Sequence, residues 1–165
     1  MPTERIEDYL EALNAIIKKK GYAKVKDIAL MLHVSPPSVT EMFQRLQKQG
    51  YINYEKYSGV TLTEKGKRIA IKTKNKHEIL KDFLIILGID KKIADEDACK
   101  IEHHVNQKTM DKLTKFVEYT KLEDGCTRWL DHFKYYVKTG KYISCSPKNE
   151  KHCPIHSKKN VITEH

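Results

Sequence analysis

The sequence predicts a mainly α protein: an N-terminal winged helix-turn-helix with a small β-hairpin wing, then an all-helical dimerisation domain. Three observations predict it. Two short helical patterns meet at a tight turn within residues 25–50. A strand, a Ser-Gly turn and a return strand follow at once, within residues 51–62. From Thr63 to Lys138 the apolar spacing is helical, with no further strand pattern.

Thr3 is placed to cap a first helix, in which Ile6, Tyr9, Leu10, Leu13, Ile16 and Ile17 follow helical spacing. Lys18 to Lys20 suit the negative end of its dipole, and Gly21 suits its stop. Val25 to Leu32 reads as a short helix with Ile28, Ala29 and Leu32 inward, and His33-Val34 as the turn after it. Ser35 is an N-cap and Pro36 occupies the first helical position, where its missing N–H costs nothing. Val39, Met42, Phe43 and Leu46 give that helix an apolar side, and Gly50 ends it. Tyr51 to Glu55 and Val60 to Leu62 read as the two strands of the wing.

Thr63 caps a long helix running to about Leu87, with Ile69, Thr73, Lys76, Ile79, Leu80, Phe83, Leu84 and Leu87 as its inward side and Gly88 as its stop. Helices follow at Asp90 to Val105, at Thr109 to Thr120 and at about Cys126 to Lys138. So few residues cannot bury all this apolar surface alone, so a homodimer is expected. After Gly140 the helical period is lost among Lys, Ser, Asn, His and Pro. The expected organisation is a DNA-binding domain over residues 1–63, a helical metal-binding and dimerisation domain over 64–140, and a Cys/His-containing tail over 141–165.

The 165 residues carry 31 Lys and Arg against 22 Asp and Glu, a formal net charge of +9. That surplus favours polyanionic partners, because each phosphate contact releases bound counterions. There is no apolar signal segment and no apolar run as long as a membrane span, so the cytoplasm is expected. Four cysteines in a reducing compartment read as free thiols or metal ligands.

Two constellations carry chemistry. The second helix of a helix-turn-helix presents its N-terminal residues to the major groove. Here those are Ser35, Pro36, Pro37, Ser38, Thr40, Glu41, Gln44 and Arg45. Lys24, Lys26, Arg45, Lys48 and Lys56 are candidates for phosphate contacts, and Tyr57 for the wing tip. The same fold also serves protein contacts, and the basic balance favours DNA.

The second constellation is Cys99, Glu102 and His103, at i, i+3 and i+4 on one helix. A thiol, a carboxylate and an imidazole on one face suit a transition metal. A buried cysteine beside a surface Glu-His pair would carry the same letters, and Asp8 and Glu11 read equally well as solvated acids. His77 on the linking helix tilts the balance. If these helices cross, Asp8, Glu11, His77, Cys99, Glu102 and His103 share one cleft. Such carboxylate-rich ligation suits Mn(II) or Fe(II) better than structural zinc. His104 points about 100° away from His103 on an ideal helix and is left out. In the tail, Cys145, Cys153 and His156 with Cys126 could form a Cys3His zinc site. Its spacing is looser than a zinc finger's, and a polar tail with incidental thiols is the other reading.

On these residues the chain resembles the DtxR/MntR family of metal-dependent transcriptional repressors, over roughly residues 3–137. The likeness rests on Tyr22-Ala23-Lys24-Val25, on Val34-Ser35-Pro36-Pro37-Ser38-Val39-Thr40, on Leu62-Thr63-Glu64-Lys65-Gly66 and on Glu102-His103-His104. It implies two acids on the first helix, a His on the linking helix and an acidic-His motif after it, which Asp8, Glu11, His77, Glu102 and His103 match. At position 99 the manganese branch usually has Glu and the iron branch Cys, whereas the iron branch has Met where this chain has Asp8. The site is therefore a hybrid, its acids favouring manganese and its thiolate iron, zinc or cobalt. No third, SH3-like domain follows, which resembles the short manganese-type architecture. The implied function is a repressor of metal-uptake genes, activated by Mn(II) or Fe(II), binding a palindromic operator as a homodimer. A redox-responsive regulator acting through Cys99 or Cys145 is one alternative. A small metallohydrolase with Glu102 as general base is another, but no nucleophile or phosphate-binding glycine loop accompanies it, so no enzyme is expected.

Overall fold

The structure is a computed structural model, and it describes residues 3–55, 59–122 and 128–143. Its elements are α1 (Glu4–Lys20), α2 (Val25–Met31), α3 (Pro36–Lys48), β1 (Ile52–Glu55), β2 (Gly59–Leu62), α4 (Glu64–Ile86), α5 (Lys91–Ile101), α6 (Gln107–Leu122) and α7 (Arg128–Thr139).

Local signals set the first elements. The Thr3 carbonyl accepts the N–H groups of Ile6 and Glu7 at 2.9 and 3.1 Å, while its hydroxyl makes no cap bond. Ser35 Oγ accepts the Ser38 N–H at 3.4 Å and opens α3 ahead of Pro36. Leu10 and Leu13 of α1, Ile28 of α2, and Val39, Phe43 and Leu46 of α3 are all 0% exposed in one core. Each contributes roughly 1.5–3 kcal/mol by leaving water. The Phe43 ring meets Tyr54 of β1 edge-on, 5.4 Å between centroids. α1 is thus welded into the winged-helix unit.

The wing is antiparallel, with Ile52 opposite Leu62 and Tyr54 opposite Val60. Ala23 adds a bridge to Val60 through bonds of 3.0 and 2.8 Å. Residues 56–58 at the wing tip lie outside the described residues.

α4 is rooted in this unit. Thr63 Oγ1 accepts the Gly66 N–H at 3.2 Å and donates toward the carbonyls of Gly50 and Tyr51 at 2.8 and 3.1 Å. A Cβ on Gly66 would stand 2.1 Å from the Tyr51 carbonyl oxygen, so only glycine lets the helix approach this closely. At about 1.5 Å per residue, the 23 residues of α4 reach well beyond the winged unit. Their inward face is narrower than the sequence suggested: Ala70, Thr73 and Leu80 are buried, while Ile69, Lys76, Ile79, Phe83, Leu84 and Leu87 are half-buried. The second core is small, built on Leu80, Ala98 and Met110. Ile85, Ile89, Ile93 and Ile101 stay exposed around it. Phe116 of α6 lies between Phe83 and Trp129, at 5.7 and 5.9 Å.

Two helices differ from expectation at their ends: α6 runs two residues further each way than Thr109 to Thr120, and α5 is cut short. α5 ends at Ile101, not Val105. Glu102 keeps helical angles and its N–H still bonds Ala98, but the His104 N–H turns back to Ile101. His103 therefore stands in the turn after the helix, not on its face.

Candidate metal centre

Asp8, Glu11, His77, Cys99, Glu102 and His103 all line one cleft of about 560 Å³ between α1, α4 and α5. Helical periodicity explains why each side chain points there. Asp8 and Glu11 flank the buried residues Tyr9, Leu10 and Ala12, whose packing sets the roll of α1. Thr73 and Leu80, four before and three after His77, are buried and turn the imidazole the same way. Ala98, one turn before Glu102, is buried and does likewise on α5.

Asp8, Glu102 and His103 each offer a ligand atom within 4.8 Å of the other two, a spacing that can hold one ion. His103 Nε2 is 3.0 Å from Asp8 Oδ1 and 3.3 Å from Glu102 Oε1. His77 Nδ1 is 3.0 Å from Glu102 Oε2. Glu102 therefore lies between the two imidazoles, and at 1% exposure it is the most enclosed charged residue described. Lys76 Nζ donates to its backbone carbonyl at 3.2 Å. Cys99 stands one turn before Glu102 and is exposed at the rim.

The electrostatics fit a cation. Burial first, and then the charge of Glu11, push the Glu102 carboxyl up to about 7. Burial also raises Asp8 and Glu11. Partial burial, followed by the charge of Glu102, pushes the Cys99 thiol up. Burial pulls the His103 imidazolium down, but its hydrogen bond to Glu7 and the charges of Asp8 and Glu102 outweigh this and leave it raised. The three carboxylates, Asp8, Glu11 and Glu102, repel one another in one cleft unless protons, the imidazoles or a cation offset their charge. Mixed oxygen, nitrogen and sulfur donors suit a divalent transition metal.

Two neighbours escaped the sequence reading. Glu7 Oε2 accepts from His103 Nδ1 at 2.7 Å, and Asp95 Oδ1 lies 3.2 Å from His77 Nε2. The signals were present: Glu4, Glu7, Asp8 and Glu11 form one acidic stripe, and Asp95, Cys99 and Glu102 recur at helical spacing. His104 is 70% exposed, with Glu4 3.7 Å away, and stands outside the cleft.

On the DNA-reading side, Ser35, Pro36, Pro37, Glu41, Gln44, Arg45 and Lys48 are exposed along α3, as are Lys24 and Lys26 around the start of α2. Ser38 and Thr40 are half-buried, and Thr40 Oγ1 donates back to the Pro36 carbonyl at 3.1 Å. Lys56 and Tyr57 fall outside the described residues, as do Cys126, Cys145, Cys153 and His156. Among the described residues, no helix is long and apolar enough to cross a membrane.

Comparison with known proteins adds a second line. Residues 1–60 match the iron-dependent repressor N-terminal DNA-binding domain, and residues 63–126 match the iron-dependent repressor metal-binding and dimerisation domain. The chain is 43% identical to the HTH-type transcriptional regulator MntR of Shouchella clausii (strain KSM-K16) over 129 residues, covering 75% of this chain and 90% of that protein. It is 44% identical to the regulator of the same name from Bacillus subtilis (strain 168) over 125 residues, 76% of this chain and 88% of that one. The solved structure of the manganese regulator SloR superposes with a TM-score of 0.62 at 30% identity, over 72% of this chain and 55% of that chain.

Proposed function

The chain belongs to the iron-dependent repressor family of metal-responsive, DNA-binding transcriptional regulators, and on that premise we propose that it represses metal-uptake genes when Mn(II) or Fe(II) occupies the cleft of Asp8, Glu11, His77, Cys99, Glu102 and His103. One observation carries this reading: the six donors come from both structural units yet line a single cleft.

Asp8 and Glu11 ride on α1, which shares its core with the recognition helix α3. His77, Cys99, Glu102 and His103 belong to the helical unit. A bound divalent cation supplies the positive charge that lets these acids ionise together. With the acids ionised and gathered, α1 is held against α4 and α5, and α3 with it. The free protein samples several arrangements of α3, and this one is selected. The protein acts as a homodimer, and the two copies of α3 would then meet two half-sites of a palindromic operator. The mixed donor set supports either metal: the carboxylates favour Mn(II), and Cys99 favours Fe(II).

Linkage requires DNA to raise metal affinity by the same factor as metal raises DNA affinity, typically about 5- to 150-fold. Fluorescence anisotropy on labelled metal-uptake promoter fragments, across buffered free Mn(II) and Fe(II), tests the proposal. The expected result is tighter binding with metal. Equal affinity with and without either metal removes it.

A further inference from the structure

We propose that Asp95, anchored by Lys81, is the positioning residue that fixes which nitrogen of His77 faces the cation cleft. The inference rests on the cleft being the metal site.

The χ2 torsion of a histidine is broad and roughly two-fold, so a free ring presents either nitrogen to the same space. A neutral imidazole carries one N–H and one lone pair, and only the lone pair can bind a metal. The partner of the outward nitrogen therefore selects the inward ligand. For His77 that partner is Asp95 Oδ1, 3.2 Å from Nε2. A carboxylate only accepts, and each ring nitrogen faces one, Nε2 that of Asp95 and Nδ1 that of Glu102, whose Oε2 stands 3.0 Å away. Once a cation takes the Nδ1 lone pair from inside the cleft, the proton stays on Nε2 and is held by Asp95.

Lys81 holds the acid in place. It lies one turn after His77 on α4, and its ammonium donates to the same oxygen of Asp95. Two donors from α4 thus converge on one atom of α5. His103 offers the opposite nitrogen, because Glu7 takes its Nδ1 at 2.7 Å and leaves Nε2 toward Asp8 and Glu102. The two imidazoles are set by different carboxylates, each from outside the proposed ligand set. Such outer carboxylates orient the ring before a metal arrives, and their loss typically costs about 10- to 100-fold in metal affinity.

The Asp95 side chain is 52% exposed, so its removal leaves the core untouched. The test uses the full chain labelled with 15N-histidine and loaded with Cd(II), a diamagnetic divalent probe. Long-range 15N–1H correlation should show His77 as the Nε2–H tautomer. Asp95→Ala should move it toward the Nδ1–H form and weaken Mn(II) binding by about 10- to 100-fold. Asp95→Asn, which keeps an acceptor oxygen, should recover most of both, and Lys81→Ala should weaken binding less. His77→Ala separates the readings. If it weakens Mn(II) binding while Asp95→Ala changes neither tautomer nor affinity, the positioning role is overturned and the site stands. If His77→Ala itself leaves affinity unchanged, both fall.

Discussion

The raised carboxyl of Glu102 makes metal binding depend on pH in a way that an exposed site would not. Its value of about 7 in the metal-free protein means that only about one tenth is ionised near pH 6, and about nine tenths near pH 8. A cation needs the carboxylate, so binding releases whatever proton Glu102 still carries. The apparent Mn(II) affinity should therefore rise about tenfold between pH 6 and pH 8 from this residue alone. His103, also raised, must free Nε2 and adds in the same direction. A carboxylate with an ordinary value near 4 is ionised throughout and gives a flat profile. Calorimetric Mn(II) titrations in buffers of different ionisation enthalpy read both the affinity and the protons released. Glu102→Gln should lower affinity and flatten the profile to the part owed to His103. Folding stability of the metal-free protein has the opposite slope. The folded value of Glu102 lies above its ordinary 4.5, so the stabilisation is fully present below pH 4.5 and is lost as pH rises through about 7. His103 follows the same sign, its contribution present below 6.5 and lost above. Affinity within about twofold at pH 6 and pH 8, with no proton release, would refute this account of the buried acid.

Other outcomes follow from packing and surface charge. Gly66→Ala would drive a Cβ to 2.1 Å from a backbone oxygen. It should cost about 3 kcal/mol or more, seen as a lower midpoint in urea, and a variant of unchanged stability would mean α4 is not seated so closely. Arg45→Ala removes an exposed cation from α3. It should weaken operator binding while lowering the salt slope by about one, and an unchanged slope would move the phosphate contact elsewhere.

The elements of the winged unit were legible because their causes are local. Ser35 and Thr63 cap helices with their own hydroxyls, and the apolar period of α1 and α3 reports directly which residues reach the core. The end of α5 was not legible. No glycine or proline interrupts residues 101–105, and the helix stops because the chain turns His103 toward Glu7 and Asp8, residues distant in sequence. The long inward stripe expected on α4 misled for a related reason. Leucine and phenylalanine spacing says which side is apolar, while the depth of burial depends on what packs against it.

Sequence alone set the composition of the cleft and its most visible pairings: Asp8 with Glu11 three apart, Cys99 with Glu102 three apart, and His77 on a helix too long for the winged unit. It did so because helical spacing puts residues on a common face whatever lies beyond. Tertiary structure decided the rest: that α1, α4 and α5 converge, that Glu102 is enclosed between two imidazoles, and that Glu7 and Asp95 turn those rings. These depend on contacts between segments as far apart as Glu7 and His103, 96 residues along the chain. Such contacts arise from the summed packing of two cores, to which no single stretch of the chain gives access.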